Sequence, residues 1–273
     1  MLDIDAIQAH CKQDPTVREW VREVLFFDCL RSTNRTAMEM ATIGMPGGVA
    51  IFAESQTGGR GRLGRHWFSP AGINLYLSLF LMPHQPARTF PFFSLATAVA
   101  LVQTIQKIAP CAARIKWPND IVIENKKVAG ILLESVTMGG QTPPLVIGIG
   151  MNVNGDDFPA ALSTTATSLK IATGNVVDRS DLARELLTAL SEQYRDLQGQ
   201  DSFYRLIERA RSLCQTLHQR VSVRTPRATF EGWAEDITSE GSLLLRMGDG
   251  RTRKIPLGDM VHLREVNENA PGH

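Results

Sequence analysis

The spacing of apolar positions divides the chain into a succession of short elements. Leu2 to His10 and Thr16 to Glu23 fit two short helices parted by Asp14-Pro15, where one helix stops and the next starts. From Val24 the pattern turns to strand, and Ser32-Thr33-Asn34 then offers a cap for a helix through Ala37, Met38 and Ala41 to Gly44. Gly48 to Ser55 is a mostly apolar strand, and Ile73 to Leu81 alternates with period two, as a half-buried strand does. Leu95, Val99, Val102, Ile105 and Ile108 fall at steps of four and three. That is one face of a buried helix over Ser94 to Ala109, ending at Pro110. Arg114 to Trp117, a hairpin of Ile121 to Glu124 with Lys127 to Val136 around Asn125-Lys126, and Leu145 to Met151 make the middle of a mixed sheet. Ser180 is placed to cap a helix through Leu182, Leu186, Leu190 and Leu197, and a further helix follows Gly199 up to about Cys214.

Beyond residue 217 helical periodicity is lost. Val221 and Val223, Thr229 to Ala234, Leu243 to Arg246, Arg253 to Pro256 and Met260 to Leu263 read as short strands, parted by turn signals such as Ser239-Glu-Gly241 and Gly248-Asp-Gly250. The pattern predicts an α+β protein: a large domain over 1–216, with 1–25 as helical lead-in, and a small β-barrel over 217–273. Over 217–266 eight Lys or Arg against seven Asp or Glu are scattered, which favours a docking or structural role over nucleic-acid binding.

Composition narrows the class. Of 273 residues 43% are hydrophobic and 21% charged, ordinary globular usage that leaves no place for disorder, collagen or coiled coil. Cys11, Cys29, Cys111 and Cys214 form no C-x-x-C pair, so zinc ribbons and redox pairs are disfavoured and reduced thiols in a cytoplasmic protein are expected. The N-terminus carries acids where a secretion signal carries Lys or Arg, and Ile73 to Met82 is about half a bilayer span. A net charge of +1 predicts no bulk attraction to nucleic acid or membranes.

That average conceals an uneven distribution. No Asp or Glu occurs from Ser55 to Asn119, where the chain's mean usage predicts about six or seven. The same window holds Arg60, Arg62, Arg65, Arg88, Lys107, Arg114 and Lys116, three of them interleaved with glycines in Gln56-Thr-Gly-Gly-Arg-Gly-Arg-Leu-Gly-Arg-His-Trp67. Gly59-x-Gly61-x-x-Gly64 matches the dinucleotide string, but that reading needs a helix directly after it and an acid about 20 residues on, and neither is present. No G-x-x-x-x-G-K-[ST] cradle accompanies it. The stretch reads as an anion loop: glycines let the main chain approach a phosphate, and guanidinium forks pair with its oxygens. Trp67 offers a flat face for a nucleobase, or simply a core ring. Lys116-Trp-Pro-Asn-Asp120 gathers a cation, a rigid turn and a carboxylate within five residues, either as an Asx turn or aimed at one place, and Lys127 would point a cation towards the same region.

Taken together, GGRGRLGRHWFSPAGINLYLSL, KWPND, KKVAGILLES and IGIGMNVN resemble the catalytic domain of biotin protein ligases over roughly Phe26 to Leu217, and the terminal strands resemble the small Src-homology-3-like domain those enzymes carry. The resemblance implies a class II aminoacyl-tRNA synthetase-like fold and a two-step reaction. Biotin and ATP, with Mg2+ held largely by the phosphates, give biotinyl-5′-AMP, and a lysine of the biotin carboxyl carrier protein of acetyl-CoA carboxylase then takes the biotinyl group. By the same resemblance Ser32, Thr33 and Gln56 hold the ureido ring, Arg60 lies in the loop over biotin, Lys127 meets the biotin carboxylate and the phosphate, and Gly130, Leu132 and Gly148 wall the slot. Arg62, Arg65, Trp67, Lys116, Asn119 and Asn152 form the ATP and adenylate side. Arg62, Lys127 and Asp120 are the catalytic candidates, Asp120 orienting or deprotonating the acceptor amine. Leu63 stands where some relatives have a further basic residue. A monomer or weak homodimer is expected, and about 25 residues ahead of the domain leave no room for the DNA-binding module of some relatives, so operator binding is not expected. The competing readings are a lipoate or octanoate ligase of the same superfamily and a non-catalytic biotin- or nucleotide-sensing module.

Overall fold

The computed structural model describes residues 1–135, 143–199, 201–225, 228–256 and 262–265. Val136 and Met260, which belong to two predicted strands, lie outside the described residues. Two helices open the chain, each held by an aspartate. Asp3 accepts from the Ala6 N–H ahead of α1 (Ile4–Gln13), and Asp14 accepts from the N–H groups of Thr16 and Val17 ahead of α2 (Pro15–Trp20), with proline at the first helical position. Helix α2 stops three residues short of the predicted Glu23. Glu23 already pairs with Val49, and the chain continues as strand β1 (Glu23–Leu30).

Next come α3 (Thr33–Thr42), β2 (Val49–Gln56), β3 (Leu75–Leu81), α4 (Phe90–Ile108), β4 (Arg114–Lys116), β5 (Asp120–Ile123), β6 (Lys126–Ser135) and β7 (Leu145–Met151). The seven strands form one sheet in the order β1-β2-β3-β7-β6-β5-β4, parallel between β1 and β2 and antiparallel elsewhere. It is the mixed sheet that the sequence predicts. The alternation in β3, however, does not mark a half-buried strand, because all seven of its residues are buried. Leu75, Leu77, Leu79 and Leu81 join the main core with α4, while Phe80 faces Ala37, Met40 and Ala41 of α3 on the other side. Helix α4 starts four residues earlier than predicted, with Pro91 in its first turn. The segment Ala87–Ile108, 22 residues, is long and apolar enough to cross a membrane, but 72% of its most apolar 18-residue stretch is buried.

Helices α5 (Leu169–Thr173), α6 (Arg179–Asp196) and α7 (Ser202–Leu213) follow. Helix α5 was not predicted, since five residues carry no helical period. The cap of α6 is Asp178, which accepts from the N–H groups of Ser180 and Asp181, and not Ser180 as the sequence suggested. The Ser180 hydroxyl instead accepts from the Asp3 N–H and ties the lead-in to α6. Beside it Arg179 forms a buried two-pronged pair with Glu54 of β2, to which the Leu2 N–H also donates.

The C-terminal strands β8 (Arg220–Arg224), β9 (Thr229–Ile237), β10 (Leu243–Met247), β11 (Thr252–Ile255) and β12 (His262–Glu265) form a five-stranded antiparallel sheet in the order β11-β10-β9-β8-β12. The predicted barrel is thus a sheet whose end strands β11 and β12 are not paired with each other among the described residues. It is joined to the larger sheet by Arg211 of α7, which donates to the Ile237 carbonyl and pairs with Asp236, and by Trp117, whose indole N–H donates to the Gly241 carbonyl.

Candidate active site

The glycine and arginine stretch lies over the face of the larger sheet opposite α4. It folds as a narrow loop. Arg60 and His66 form an antiparallel bridge, the Trp67 N–H donates to the Gly59 carbonyl at 2.9 Å, and Arg62–Gly64 makes a single tight turn with Leu63 in the left-handed region at φ 59°. No helix follows, as the rejection of the dinucleotide reading requires. Beneath the loop two cavities share a wall made of Gly61, Arg62, Trp67, Asn119 and Lys127.

The first is a narrow slot of about 50 Å³, room for only a few waters. Ser32, Thr33, Gln56, Arg60, Lys127, Gly130, Leu132 and Gly148 all line it, the full set assigned to biotin from the sequence. Ser32 stands at the N-cap of α3 but its side chain makes no capping bond. Gln56 accepts from the Thr33 N–H at 2.9 Å and from its hydroxyl at 3.2 Å. The small residues are there for space. A Cβ on Gly148 would come within 2.0 Å of the Asn34 side-chain oxygen, and one on Gly150 within 2.4 Å of the Trp67 ring.

A bulge sets Lys127. Ile121 faces Ala129 but Val122 faces Lys127, so Val128 is an extra residue in β6 and Lys127 is turned to the face that carries Gly130. A Cβ on Gly130 would lie 2.9 Å from the Lys127 stem and 3.1 Å from the Trp67 ring. The lysine amine reaches Asp120 at 2.6 Å, with both side chains about one-third exposed, and stands 5.2 Å from the Trp67 ring centre.

The second cavity, about 420 Å³, is lined by Arg62, Arg65, Trp67, Lys116, Asn119, Asp120, Lys127 and Asn152, which are the residues assigned to the nucleotide, together with Asp120 and Lys127. Lys116 pairs in register with Asp120 across β4 and β5, so the lone carboxylate among the cavity's lining residues sits between two lysines. The Trp117–Pro118 peptide in this turn is cis. Arg62 donates to Asn119 at 3.1 Å, and Asn119 donates to the Ile131 carbonyl at 2.9 Å. Burial lowers the Arg62 pKa from its ordinary value, with Arg65 nearby acting in the same direction and Asp120 opposing it. Asn152 is buried, with its amide donating to the Thr167 carbonyl. Trp67 is not a free platform in this conformation. Its ring lies on Gly130 and Gly150, and its buried indole N–H has no hydrogen-bond partner among the described residues.

Not every cation of the acid-free window comes to this site. Lys107 pairs with Glu185, and Arg88 lines a different surface cavity between the start of α4 and α7. Conversely, several site residues were missed. Asn34 is buried, accepts from Ser78 at 2.6 Å and donates to Glu134 at 2.9 Å, and Glu134 in turn pairs with Arg60 at 3.1 Å. Gly150 seats Trp67. The Ser78 hydroxyl also lies 2.7 Å from that of Thr33, and Gln56 donates to Ser69, whose hydroxyl donates to the Trp67 carbonyl. A hydrogen-bonded chain therefore runs beneath the slot from Arg60 to Trp67 and joins the two ends of the loop. Their only sequence signals were a Ser-Thr-Asn cap and the apolar strands that contain them.

Comparison with known proteins agrees with this geometry. Residues 26–152 match the biotin/lipoate A/B protein ligase family, and residues 216–263 match the biotin protein ligase C terminal domain. The chain is similar to a biotin–[acetyl-CoA-carboxylase] ligase of Paracoccus denitrificans, 36% identical over 237 residues that cover 84% of this chain and 96% of the relative. It is also similar to the bifunctional ligase/repressor BirA of Bacillus spizizenii, 38% identical over 88% of this chain and 74% of the relative. Among solved structures, the biotin protein ligase of Aquifex aeolicus in complex with biotin and ATP superposes with a TM-score of 0.78 at 26% identity, covering 90% of this chain and all of the other.

Proposed function

This chain belongs to the biotin protein ligase family, and from that premise we propose that it activates biotin with ATP as biotinyl-5′-AMP and transfers the biotinyl group to a lysine of the biotin carboxyl carrier protein of acetyl-CoA carboxylase. One observation carries the reading: a narrow slot and a wider cationic cavity meet at a shared wall of Arg62, Trp67 and Lys127. A carboxylate lying in the slot meets a phosphate lying in the cavity at that wall.

The chemistry asks little of a protein base, because a carboxylate nucleophile is already ionised at neutral pH. It asks for positive charge on the phosphate oxygens. Lys127, Arg62 and Arg65 supply it, with Lys116 on the far side of the cavity. Ser32, Thr33 and Gln56 orient the ureido ring, Arg60 closes over it, and Gly130, Leu132 and Gly148 leave room for its flat body. Trp67, Asn119 and Asn152 take the nucleoside side once the Trp67 ring shifts from its seat on Gly150. No cluster of three His, Cys, Asp or Glu stands among the described residues, so magnesium would reach the site on the triphosphate, with Asp120 as the nearby carboxylate. Bound there, the ion would neutralise phosphate charge. In the second half-reaction Asp120 orients the acceptor amine or takes its proton, and the loop keeps water from the mixed anhydride. The cytoplasm, where the four thiols stay reduced, is the expected compartment.

The test is to incubate the protein with ATP, Mg2+ and either biotin or lipoate and look for the acyl-adenylate by mass spectrometry. The expected product is biotinyl-5′-AMP alone. A lipoyl adenylate in its place identifies the lipoate ligase of the same superfamily, and no adenylate with either acid identifies a sensing module.

A further inference from the structure

Three cavities, not two, meet at Arg62 and Asn119. The third, about 230 Å³, opens beside the first turn of α4. Pro91 and Ser94 of α4, Pro118 of the turn before β5, and Ile131 and Leu133 of β6 form its walls. Among the described residues no carboxylate lines it, and the one charge in its lining is the Arg62 guanidinium where the three cavities join.

Resting on the ligase reading above, we propose that this third cavity is the entry channel for the acceptor lysine, and that the hydrogen bond between Arg62 and Asn119 is its inner door. The reaction has three reactants. Two fill the slot and the nucleotide cavity, so the third must reach the acyl carbon at their shared wall by another path. A lysine side chain fits this one by its chemistry. Its methylene stem lies against Pro91, Ile131 and Leu133, and its nitrogen arrives at the polar inner end. The guanidinium there disfavours an ammonium and so favours the neutral amine, which is the nucleophilic form. The amine lone pair forms the new C–N bond, the acyl C–O bond breaks with its electron pair onto the phosphate of departing AMP, and one N–H proton leaves to Asp120, the residue next to Asn119.

The door opens in the right order. Asn119 is pinned to β6 in two places, donating from its side chain to the Ile131 carbonyl and accepting from the Ile131 N–H at its own carbonyl, both at 2.9 Å. Arg62, which donates to it at 3.1 Å from the glycine-rich loop and not from the sheet, is the partner that moves. A phosphate is a stronger acceptor for a guanidinium than a carboxamide is. Nucleotide binding therefore draws Arg62 off Asn119 and clears the inner end of the channel, so lysine entry follows adenylate formation.

The experiment narrows the channel without touching the slot. Ser94→Phe and, independently, Leu133→Trp are compared with Ser94→Ala and the unaltered protein, first for adenylate formation and then, in single turnover, for transfer to the carrier protein and for cleavage by hydroxylamine. The expected result is normal adenylate, hydroxylamine cleavage within about twofold of the unaltered protein, and carrier transfer slowed about tenfold or more in the filled variants only. Normal transfer in a filled variant that makes adenylate overturns the channel, and so does an equal loss towards hydroxylamine. Ser94→Val replaces a filler that makes no adenylate and is judged by the same two outcomes. Absence of adenylate in the unaltered protein instead fails the ligase reading itself.

Discussion

Two ion pairs show how one kind of contact is used for opposite ends. Arg179 and Glu54 lie behind the sheet with side chains 6% and 8% exposed, joined by two hydrogen bonds, with the Leu2 N–H and the Asn74 carbonyl completing their partners. Both carboxylate oxygens and both terminal guanidinium nitrogens are met from within the chain, which is the condition under which a buried pair is tolerated. Lys127 and Asp120, in front of the sheet, touch through one pair of atoms and are 34% and 30% exposed. They are held in place by β6 and β5 but not used up by each other. The first pair fastens the lead-in, β2 and α6 together. The second keeps a cation and a carboxylate apart from other partners until a ligand takes them.

The comparison is broken most severely by removing one member of the buried pair. Arg179→Met leaves the Glu54 carboxylate unpaired among apolar neighbours, and a loss of about 3–5 kcal/mol of unfolding free energy is expected by chemical denaturation. The pH dependence sharpens the test. Burial alone would raise the Glu54 pKa, but the hydrogen bonds from Arg179 and the Leu2 N–H and the Arg179 charge prevail and lower it from its ordinary 4.5. Its contribution is therefore full above about pH 4.5 and is lost as pH falls through the lowered value. In Arg179→Met burial is opposed only by the Leu2 N–H bond and the N-terminal charge, so acid unfolding should begin at higher pH than in the unaltered protein. An unchanged acid limb would remove Glu54 from this role.

The exposed pair should show the reverse profile. Lys127→Met is expected to leave stability within about 1 kcal/mol, since a partly exposed pair contributes little, while pyrophosphate release falls about 10²–10³-fold through loss of charge at the phosphate. Asp120→Asn should separate the half-reactions, slowing transfer to the carrier about tenfold or more while adenylate forms at near its normal rate. Equal loss in both steps would show that Asp120 serves only to hold Lys127.

These contrasts also show what the sequence could reveal. The glycine and arginine loop and the Lys116 to Asp120 turn were legible because their chemistry lies in contiguous residues whose composition departs from the average. The strands and α4 were legible by period, although period two in β3 could not show that both faces are covered. The structural pair was invisible, because Glu54 and Arg179 stand 125 positions apart, each inside an ordinary amphipathic element. Ser180 was mistaken for the cap of α6 because two capping residues lie within three positions and only the backbone direction distinguishes them. Lys127 was placed correctly for a reason the sequence did not contain, the bulge at Val128 that turns it towards the slot.

The smallest effect expected is also the one that distinguishes positioning from support. Glu134 is bonded to both Arg60 and Asn34, so it links the loop to the floor of the slot. Its side chain is 18% exposed, but that of Arg60 is 50% exposed, which limits the ion pair to about 1 kcal/mol or less. Glu134→Gln keeps one oxygen to accept from the buried Asn34 amide but turns an N–H, which cannot accept, towards Arg60, so the ion pair is lost. If Glu134 merely supports the fold, the variant should unfold more easily and leave kinetic constants alone. If it holds Arg60 over the ureido end of the slot, the KM for biotin should rise a few-fold, by about 1 kcal/mol or less, with the KM for ATP and the melting temperature unchanged. Glu134→Ala should move the biotin KM further, because it also deprives the Asn34 amide of its acceptor and leaves that buried donor with only the 3.3 Å bond to the Leu132 carbonyl. Equal biotin constants in all three proteins would detach the loop from the floor and leave Arg60 to be ordered by the ligand alone.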